Sequence, residues 1–192
     1  MGRLFGTDGI RGRANSFPMD PETALRVGRA VGIELRRHTE DLRGAVVLGR
    51  DTRLSGPMLE SALVAGICSS GLDVLLAGVI PTPAVARLTV ELEAAAGIVV
   101  SASHNPFEDD GIKIFDAAGR KIAQSREAAL EALIGEGEGE RAGKMRQPGQ
   151  VRPIADAAER YIAFLARSLP SEGLALDGLK VILDCSNGAT AT

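Results

Sequence analysis

Short apolar runs alternate along the chain with longer stretches in which apolar residues recur at helical spacing. The apolar runs at 45–48, 73–79 and 97–100 are bounded by glycine, proline or polar residues, as buried strands usually are. Asp20 followed by Pro21 predicts a helix start, because an acidic N-cap and a proline at the first helical position favour helix initiation. The alternation predicts an α/β fold, with a mixed, mostly parallel sheet sandwiched by helices.

The helical segments support three further predictions. Gly28 and Gly32 lie one turn apart in the first helix, and we expect them to let that helix approach the sheet closely. Ser55 is a candidate N-cap for the second helix, because its hydroxyl could accept a bond from a backbone N–H of the first turn. A third helix is predicted over residues 84–93, directly before the apolar run that begins at Gly97.

Polar loops follow the ends of three predicted strands, at residues 49–53, 81–83 and 101–106. In open α/β sheets, ligands bind beyond the carboxyl ends of the parallel strands. The predicted parallel arrangement would place these three loops along one edge of the sheet. We therefore expect the binding site at that edge.

The later part of the chain predicts a division into two domains. Residues 135–150 are poor in apolar side chains and rich in glycine and charge, which predicts a linker or loop. The run GERAGK within it is one residue short of a P-loop and follows no strand, which argues against a nucleotide site. We expect residues 1–150 to form a first domain. Residues 151–192 would then supply a linker helix and, at 181–183, the first strand of a second, incomplete α/β domain.

Composition excludes several classes of protein. The chain of 192 residues is 45% hydrophobic and 24% charged, which is typical of soluble globular domains. A net charge of -3 and an aromatic content of 3% argue against a nucleic-acid-binding surface. No apolar stretch approaches the roughly 18 residues of a membrane span, and no secretory signal is recognisable. Cys68 and Cys185 form no C-x-x-C motif and are expected to be reduced, which suits a cytoplasmic protein.

The most informative chemistry lies in GIVVSASHNPFEDDGIKIF, residues 97–115. Ser103 follows a strand, His104 beside it could move a proton near neutral pH, and Lys113 returns on the next strand. The lysine ammonium could stabilise negative charge in the same pocket. An alternative remains open, since serine, asparagine and proline are ordinary loop residues and the histidine could serve the turn.

Two other motifs add arginines to the same edge. FGTDGIRG places Arg11 among three glycines, and GRDTR presents Arg50 and Arg53. Guanidinium groups bind phosphate oxygens in a two-pronged fashion, so the combination predicts a phosphate-handling site. For most single arginines a solvated position or a structural ion pair is the favoured interpretation, and Asp51 could pair with Arg50 or Arg53 without any ligand.

GTDGIRG, GRDTR, GVIPTPA and SASHNPFEDDGIKIF occur in the order and spacing of the α-D-phosphohexomutase superfamily, which the chain resembles. Within that superfamily, these motifs are most similar to the bacterial phosphoglucosamine mutases. LDCSNGAT resembles the opening of the family's second domain. The resemblance extends over residues 4–190 and is weakest at 135–150.

The resemblance implies a reaction that passes through a phosphorylated serine. Ser103 is similar to the family's phosphoserine, which would give its phosphoryl group to glucosamine 6-phosphate and form a 1,6-bisphosphate. The 6-phosphate of this intermediate would then return to the serine and leave glucosamine 1-phosphate. That product would feed UDP-N-acetylglucosamine synthesis for the cell wall.

The resemblance also implies the site. The implied catalytic residues are Ser103, His104, Lys113 and Arg11, and the implied substrate- or phosphate-binding residues are Thr7, Asn105 and Arg50. One Mg²⁺ is implied on an oxygen of the phosphoserine, with Ser103 as the metal contact from this sequence, because the family's D-G-D-x-D-R metal loop does not occur here. Glucosamine or glucose 1,6-bisphosphate is the implied activator.

Parts of the family pattern are missing or altered. Asp110 stands where asparagine is common, and we expect its charge to slow formation of the phosphoserine. The family's sugar-selecting loop does not occur here. Phosphomannomutase or phosphoglucomutase activity therefore remains an alternative, as does a non-catalytic sugar-phosphate-binding fragment. A chain ending at Thr192 is expected to show no mutase turnover.

Overall fold

The computed structural model describes residues 4–37, 44–135, 147–169 and 178–191. Most of the linker expected at 135–150 lies outside these ranges. Strands and helices follow one another in the order β1 (Ile10–Arg13), α1 (Pro21–Arg37), β2 (Ala45–Arg50), α2 (Gly56–Ser69), β3 (Asp73–Val79), α3 (Thr82–Glu91), β4 (Ala96–Val100), β5 (Asp109–Asp116), α4 (Gln124–Gly135), β6 (Val151–Pro153) and α5 (Ala157–Ser168).

The strands form one six-stranded sheet in the order β1-β5-β4-β2-β3-β6. β2 runs parallel to both β3 and β4, and β6 runs parallel to β3. β5 is antiparallel to β4 and to β1, so the antiparallel pairs lie together at one side of the sheet. The prediction of a mixed, mostly parallel sheet is confirmed.

Helices cover both faces of the sheet, as predicted. On one face α1, α2 and α4 enclose a core that includes Val46 and Leu48 of β2. On the other face α3 packs over Val47 of the same strand, and Ala157 of α5 joins this second core. Successive side chains of β2 thus enter opposite cores, because strand side chains alternate between faces.

The helix glycines serve a different contact from the one expected. A Cβ atom on Gly28 would lie 2.4 Å from the Leu63 backbone oxygen, and one on Gly32 would lie 1.8 Å from the Ser70 hydroxyl oxygen. Both neighbours belong to α2 or its end, so the glycines let α1 approach α2, and the expected contact with the sheet is wrong. Gly66 of α2 completes the contact, since its Cβ would lie 2.2 Å from the Leu25 backbone oxygen.

The two predicted N-caps differ in outcome. Asp20 caps α1 as expected, because its Oδ1 accepts a 2.8 Å hydrogen bond from the Thr23 backbone N–H. Ser55 directly precedes α2, but its side chain makes no cap hydrogen bond. Its hydroxyl donates instead to Oδ2 of Asp110 at 2.6 Å, which links the start of α2 to β5.

The first sheet continues past the boundary expected at residue 150. β6 extends the sheet beside β3, and the following helix packs against α3, where Arg160 Nη1 donates to Glu91 Oε1 at 2.9 Å. The strand expected at 181–183 is not formed, and Val181, Ile182 and Leu183 are exposed. An isolated strand needs a neighbour for its backbone groups, and the described residues supply none there.

Candidate active site

The three loops expected to share an edge do leave the sheet together. β2, β3 and β4 are parallel neighbours, so their carboxyl ends lie side by side. Backbone hydrogen bonds join these ends, with Asp51 N donating to Val100 O and Ile80 N donating to Arg50 O, each at 3.0 Å. The segment between β4 and β5, residues 101–108, is called the serine loop below and rises from this edge.

Ser103 has an unusual backbone conformation in the serine loop. Its φ angle is +58°, in the left-handed region that residues other than glycine seldom adopt. Such a conformation costs on the order of 1 kcal/mol and persists only where surrounding contacts hold it. Its N–H donates to Ser101 Oγ at 3.1 Å, and its carbonyl accepts from Arg53 at 3.0 Å. Strain at a serine held in this way is typical of functional positions.

The Ser103 side chain is open to solvent and lies beside a histidine. Its Oγ is 3.4 Å from Nδ1 of His104, at the outer limit of a hydrogen bond, and both residues are exposed. The left-handed turn brings these adjacent side chains to the same side, which a regular strand would not do. An incoming molecule can therefore reach both groups at once.

Arg53 holds the serine loop in place. Its guanidinium donates to four backbone carbonyls, those of Ser103, Asn105, Pro106 and Asp109, at 2.6 to 3.0 Å. The Asp51 carboxylate fixes the arginine through a 3.1 Å hydrogen bond from Nε, and the arginine side chain is only 10% exposed. The sequence presented this arginine as a possible phosphate ligand, whereas the structure shows it bound to backbone.

Two cations lie on the strands next to the serine loop. Arg11 on β1 lies opposite Gly111 on β5, two residues before Lys113. Arg11 Nη1 donates to Asn105 Oδ1 at 3.1 Å, which ties the arginine directly to the serine loop. Lys113 lies opposite Val99 of β4, so its strand position places it beside the strand that leads to Ser103.

Asp8 joins these two cations, a feature that sequence reasoning missed. Its Oδ2 lies 2.8 Å from Arg11 Nη2 and 2.8 Å from Lys113 Nζ. The hydrogen bond from Lys113 is the main reason that the pKa of the Asp8 carboxyl is lowered, which keeps it ionised. No sequence spacing connects residue 8 to residue 113, so only the pairing of β1 with β5 reveals this contact.

The glycine-rich turn before β1 shapes this corner of the site. Gly9 has a φ of +85°, and a Cβ atom there would lie 2.4 Å from the Ile112 backbone oxygen, so only glycine fits. Thr7 is exposed at the turn, and its carbonyl accepts a 2.6 Å hydrogen bond from Lys121 Nζ. The turn thus holds Asp8 beside Arg11 and Lys113, and it leaves both Thr7 and Asp8 open to solvent.

Arg50 does not join the cluster formed by Arg11, Lys113 and Asn105. Its Nε lies 3.5 Å from Glu60 Oε2 of α2, and Nη1 donates weakly to the Asp51 carbonyl at 3.4 Å. Burial raises the pKa of the Glu60 carboxyl despite this arginine. Within the described part of the chain, the side-chain contacts of Arg50 are with Glu60 and the Asp51 carbonyl, and its implied phosphate-binding role stays a prediction.

Asp110 is buried beneath the serine loop. Its carboxylate accepts hydrogen bonds from the Ser55 hydroxyl at 2.6 Å and from the Gly111 N–H at 2.8 Å. It is fully buried, and this burial raises the pKa of the carboxyl above its ordinary value. The expected slowing of phosphoserine formation by its charge stays a prediction.

The acidic side chains near Ser103 do not form a metal site by themselves. Within the described residues, no group of three or more His, Cys, Asp or Glu side chains could hold a metal ion. Asp109 accepts from the Asn105 amide at 3.0 Å, and Asp51 is bound to Arg53. The side chains present therefore do not fit a Mg²⁺ ion without ligands from elsewhere.

In the same described ranges, no helix is both long and apolar enough to cross a membrane.

Residues 2–141 match the family model for phosphoglucomutase/phosphomannomutase, alpha/beta/alpha domain I. A phosphoglucosamine mutase of Syntrophus aciditrophicus is 50% identical over 191 residues, which is 99% of this chain and 42% of that protein. A phosphoglucosamine mutase of Pelotomaculum thermopropionicum is 52% identical over 193 residues, 98% of this chain and 41% of that protein. The chain thus spans about two fifths of the length of these curated relatives.

Solved structures agree with this assignment. A putative phosphomannomutase from Thermus thermophilus superposes with a TM-score of 0.70 at 33% identity, covering 86% of this chain and 36% of that one. A phosphoglucomutase/phosphomannomutase family protein from Burkholderia thailandensis gives a TM-score of 0.70 at 28% identity, covering 87% of this chain and 36% of that one. The chain belongs to the phosphoglucomutase/phosphomannomutase family, and its residues 2–141 correspond to domain I of that family.

Proposed function

We propose that this chain is the phosphoserine-bearing first domain of a phosphoglucosamine mutase. The whole enzyme would interconvert glucosamine 6-phosphate and glucosamine 1-phosphate in the cytoplasm, for synthesis of UDP-N-acetylglucosamine. The observation that carries the proposal is Ser103, an exposed serine in a left-handed conformation that Arg53 and Ser101 hold. Identities near 50% to proteins named phosphoglucosamine mutase support the choice of sugar.

The cations beside the serine loop suit a dianionic phosphoserine. A phosphoserine carries close to two negative charges at neutral pH. Arg11 brings one positive charge to its loop through Asn105, and Lys113 brings a second beside Arg11 through their shared partner Asp8. Phosphoryl transfer depends mainly on positioning and on neutralising charge on the transferred oxygens. We assign Arg11 and Lys113 to that neutralisation, with Asn105 holding the arginine and Thr7 at the exposed rim of the site.

His104 is the candidate proton carrier of the site. Its Nδ1 lies 3.4 Å from Ser103 Oγ, so the imidazole can donate a proton as the serine oxygen loses its phosphoryl group and accept it back when the serine is phosphorylated again. The exposure of both side chains leaves room for a sugar phosphate to approach the serine from solvent. This assignment makes His104 a catalytic residue of the proposed reaction.

Mg²⁺ and a hexose 1,6-bisphosphate activator belong to the same proposal. A bound Mg²⁺ would neutralise charge on the phosphoryl oxygens. From this chain only the phosphate on Ser103 is a proposed ligand, since the described acidic side chains form no metal cluster. The proposed partner is therefore a small hexosamine phosphate, with further ligands and the sugar-selecting residues supplied outside this sequence.

The proposal is tested on the protein encoded by the whole reading frame that contains this sequence. We expect intact mass and phosphopeptide mapping to place phosphate on Ser103, and glucosamine 6-phosphate to be converted faster than mannose or glucose phosphates. Ser103→Ala should lose turnover by at least roughly a thousandfold, because the phosphoryl carrier is gone. Ser61→Ala is the control, as Ser61 lies exposed on α2 and donates to Pro57 O.

Three results would contradict the proposed function. Phosphate on another serine in the active protein would remove Ser103 from the mechanism. Faster turnover of mannose or glucose phosphates than of glucosamine 6-phosphate would favour the phosphomannomutase or phosphoglucomutase alternative, which the names of the solved relatives suggest. Binding of glucosamine 6-phosphate without turnover would favour a non-catalytic sugar-phosphate protein.

A further inference from the structure

The carboxylate of Asp8 forms ion pairs with Arg11 and Lys113, the two cations that the proposed mechanism assigns to the phosphate on Ser103. A single oxygen, Oδ2, lies 2.8 Å from Arg11 Nη2 and 2.8 Å from Lys113 Nζ. In the described part of the chain, no second carboxylate forms an ion pair with Lys113. The charge of Lys113 is thus neutralised by Asp8, which also accepts a hydrogen bond from Nη2 of Arg11.

The burial of the three side chains differs in an informative way. The Lys113 side chain is 14% exposed and that of Arg11 is 30% exposed, whereas that of Asp8 is 50% exposed. The carboxylate therefore approaches the cations from the solvent side, where water can replace them as its partners. Arg11 is bound to the serine loop through its Nη1, which donates to Asn105, while its Nη2 donates to Asp8.

We propose that Asp8 competes with the phosphate on Ser103 for Arg11 and Lys113, and so keeps the phosphoserine ready to transfer its phosphoryl group. The inference rests on the proposed function, because it requires Ser103 to carry phosphate. Asp8 acts through the two cations and is a positioning residue. Its negative charge limits how tightly those cations bind the resting phosphoserine.

The expected direction follows from the transfer step. The bond between phosphorus and Ser103 Oγ breaks while an acceptor hydroxyl forms a new bond to phosphorus, and the acceptor's proton passes to the serine oxygen. Cations that bind the phosphoserine strongly before this step stabilise the starting state and raise the barrier. Asp8 weakens the binding of the phosphoserine by Arg11 and Lys113, because it accepts hydrogen bonds from the same two side chains.

The test compares phosphoserine lifetimes in the full-length protein. Wild type, Asp8→Asn and Asp8→Ser are purified in the phosphorylated form, and loss of phosphate from Ser103 to water is followed by intact mass. Asparagine keeps an oxygen that accepts from both cations but removes the charge. We expect about a fivefold longer lifetime for Asp8→Asn, as for a nearby charge partly screened by water. Single-turnover transfer to glucosamine 6-phosphate should slow by a similar factor.

Asp156→Asn is the matched control. Asp156 is 55% exposed and pairs with Arg160 at 2.9 Å, which resembles the exposure and pairing distance of Asp8. It precedes α5, next to β6, at the opposite side of the sheet from β1. Its neutralisation should leave the phosphoserine lifetime within about a factor of 1.5 of wild type.

The outcomes separate this inference from the proposed function. An unchanged or shorter lifetime in Asp8→Asn and Asp8→Ser overturns the competition, because a merely structural aspartate would loosen the cations and expose the phosphate. Wild-type protein that never carries phosphate on Ser103 overturns the proposed function, and this inference with it. Circular dichroism of each variant shows whether the fold is intact, and a folded Asp8→Ser suffices if Asp8→Asn misfolds.

Discussion

At the scale of single residues, Arg53 connects local conformation to the chemistry of Ser103. A left-handed serine is unfavourable by itself, so its geometry depends on groups that hold the peptide on both sides. One guanidinium supplies bonds to four carbonyls of this region and is itself anchored by Asp51. Arginine suits this position because its planar fork offers five donors in fixed directions.

Replacing Arg53 with lysine should therefore destabilise the protein. An ammonium group has three donors on one nitrogen and cannot reach four separated carbonyls, so some of these carbonyls, two of them partly buried, lose their partner. We expect the free energy of unfolding to fall by about 3 kcal/mol. Urea unfolding followed by circular dichroism measures this. Arg120→Lys, at a side chain 78% exposed, should change the same quantity by less than about 0.5 kcal/mol. Equal effects at both positions would contradict the role of Arg53.

Asp110 makes the stability depend on pH in an unusual direction. Its buried carboxyl has a raised pKa, so the folded protein holds that proton more tightly than the unfolded chain does. The stabilising effect of the protonated form is complete below the unfolded pKa, and it is lost as pH rises through the folded pKa. Asp110→Asn should therefore raise the free energy of unfolding at pH 7, and the gain should shrink towards pH 4.

Asp156→Asn provides a comparison of opposite sign. The hydrogen bond from Arg160 lowers the pKa of the Asp156 carboxyl, so its stabilisation is present at neutral pH and lost in acid. The variant should be less stable than wild type at pH 7 and equal to it at low pH. Urea unfolding midpoints of both variants and of wild type, measured between pH 4 and pH 7, test both predictions. If the stability gained by Asp110→Asn over wild type increases towards pH 4, the argument is refuted.

At the scale of elements, the contact between α1 and α2 depends on glycines, which have no side chain to keep the helices apart. Gly66 lies so close to α1 that an added Cβ would stand 2.2 Å from the Leu25 oxygen and 2.7 Å from the Arg29 nitrogen. Backbone atoms cannot rotate away as a flexible side chain can. The helices would have to separate, which would open the core between them.

Gly66→Ala is thus expected to destabilise the protein although alanine is the better helix former. Helix propensity alone favours the change by about 1 kcal/mol. Overpacking should outweigh this and lower the free energy of unfolding by about 2 kcal/mol net. Gly135→Ala at the end of α4 is the matched control, since a Cβ there meets nothing within 4 Å. Thermal and urea unfolding should show a lower free energy of unfolding for Gly66→Ala and a higher one for Gly135→Ala. A higher free energy of unfolding for Gly66→Ala would disprove the packing argument.

Sequence patterns predicted the internal elements better than the edges of the sheet. The central strands are continuous apolar runs because both faces are buried, and such runs are easily recognised. β1 reads IRGR and β6 reads VRP, and neither has an alternating or apolar pattern. Edge strands form because a neighbour offers a partner, and a single sequence does not show that neighbour. For the same reason the sequence did not reveal that β6, just beyond residue 150, joins this sheet.

At the scale of the whole molecule, the order of the strands determines which candidate residues meet. The sequence and its family resemblance correctly indicated that the ends of β2, β3 and β4 share an edge. The sequence left open whether the arginines of GRDTR face a ligand or form structural ion pairs, for example with Asp51. The fold turns Arg53 to the serine loop and Arg50 to Glu60, because each guanidinium follows the nearest acceptors in three dimensions. The contact of Asp8 with Lys113 was equally invisible before the strands were paired.

The position of β1 has a consequence for the order of events during synthesis. β1 is made early, yet among the described strands its sole partner is β5, and the contact from Arg11 to Asn105 spans 94 residues. Contacts between distant parts of a chain form slowly, because a long loop must close first. While the ribosome is still making β2 to β4, Arg11 has no strand to lie beside. The central parallel strands can assemble earlier, and the site is completed only after residue 116 has emerged and the first strand is added at the sheet's edge.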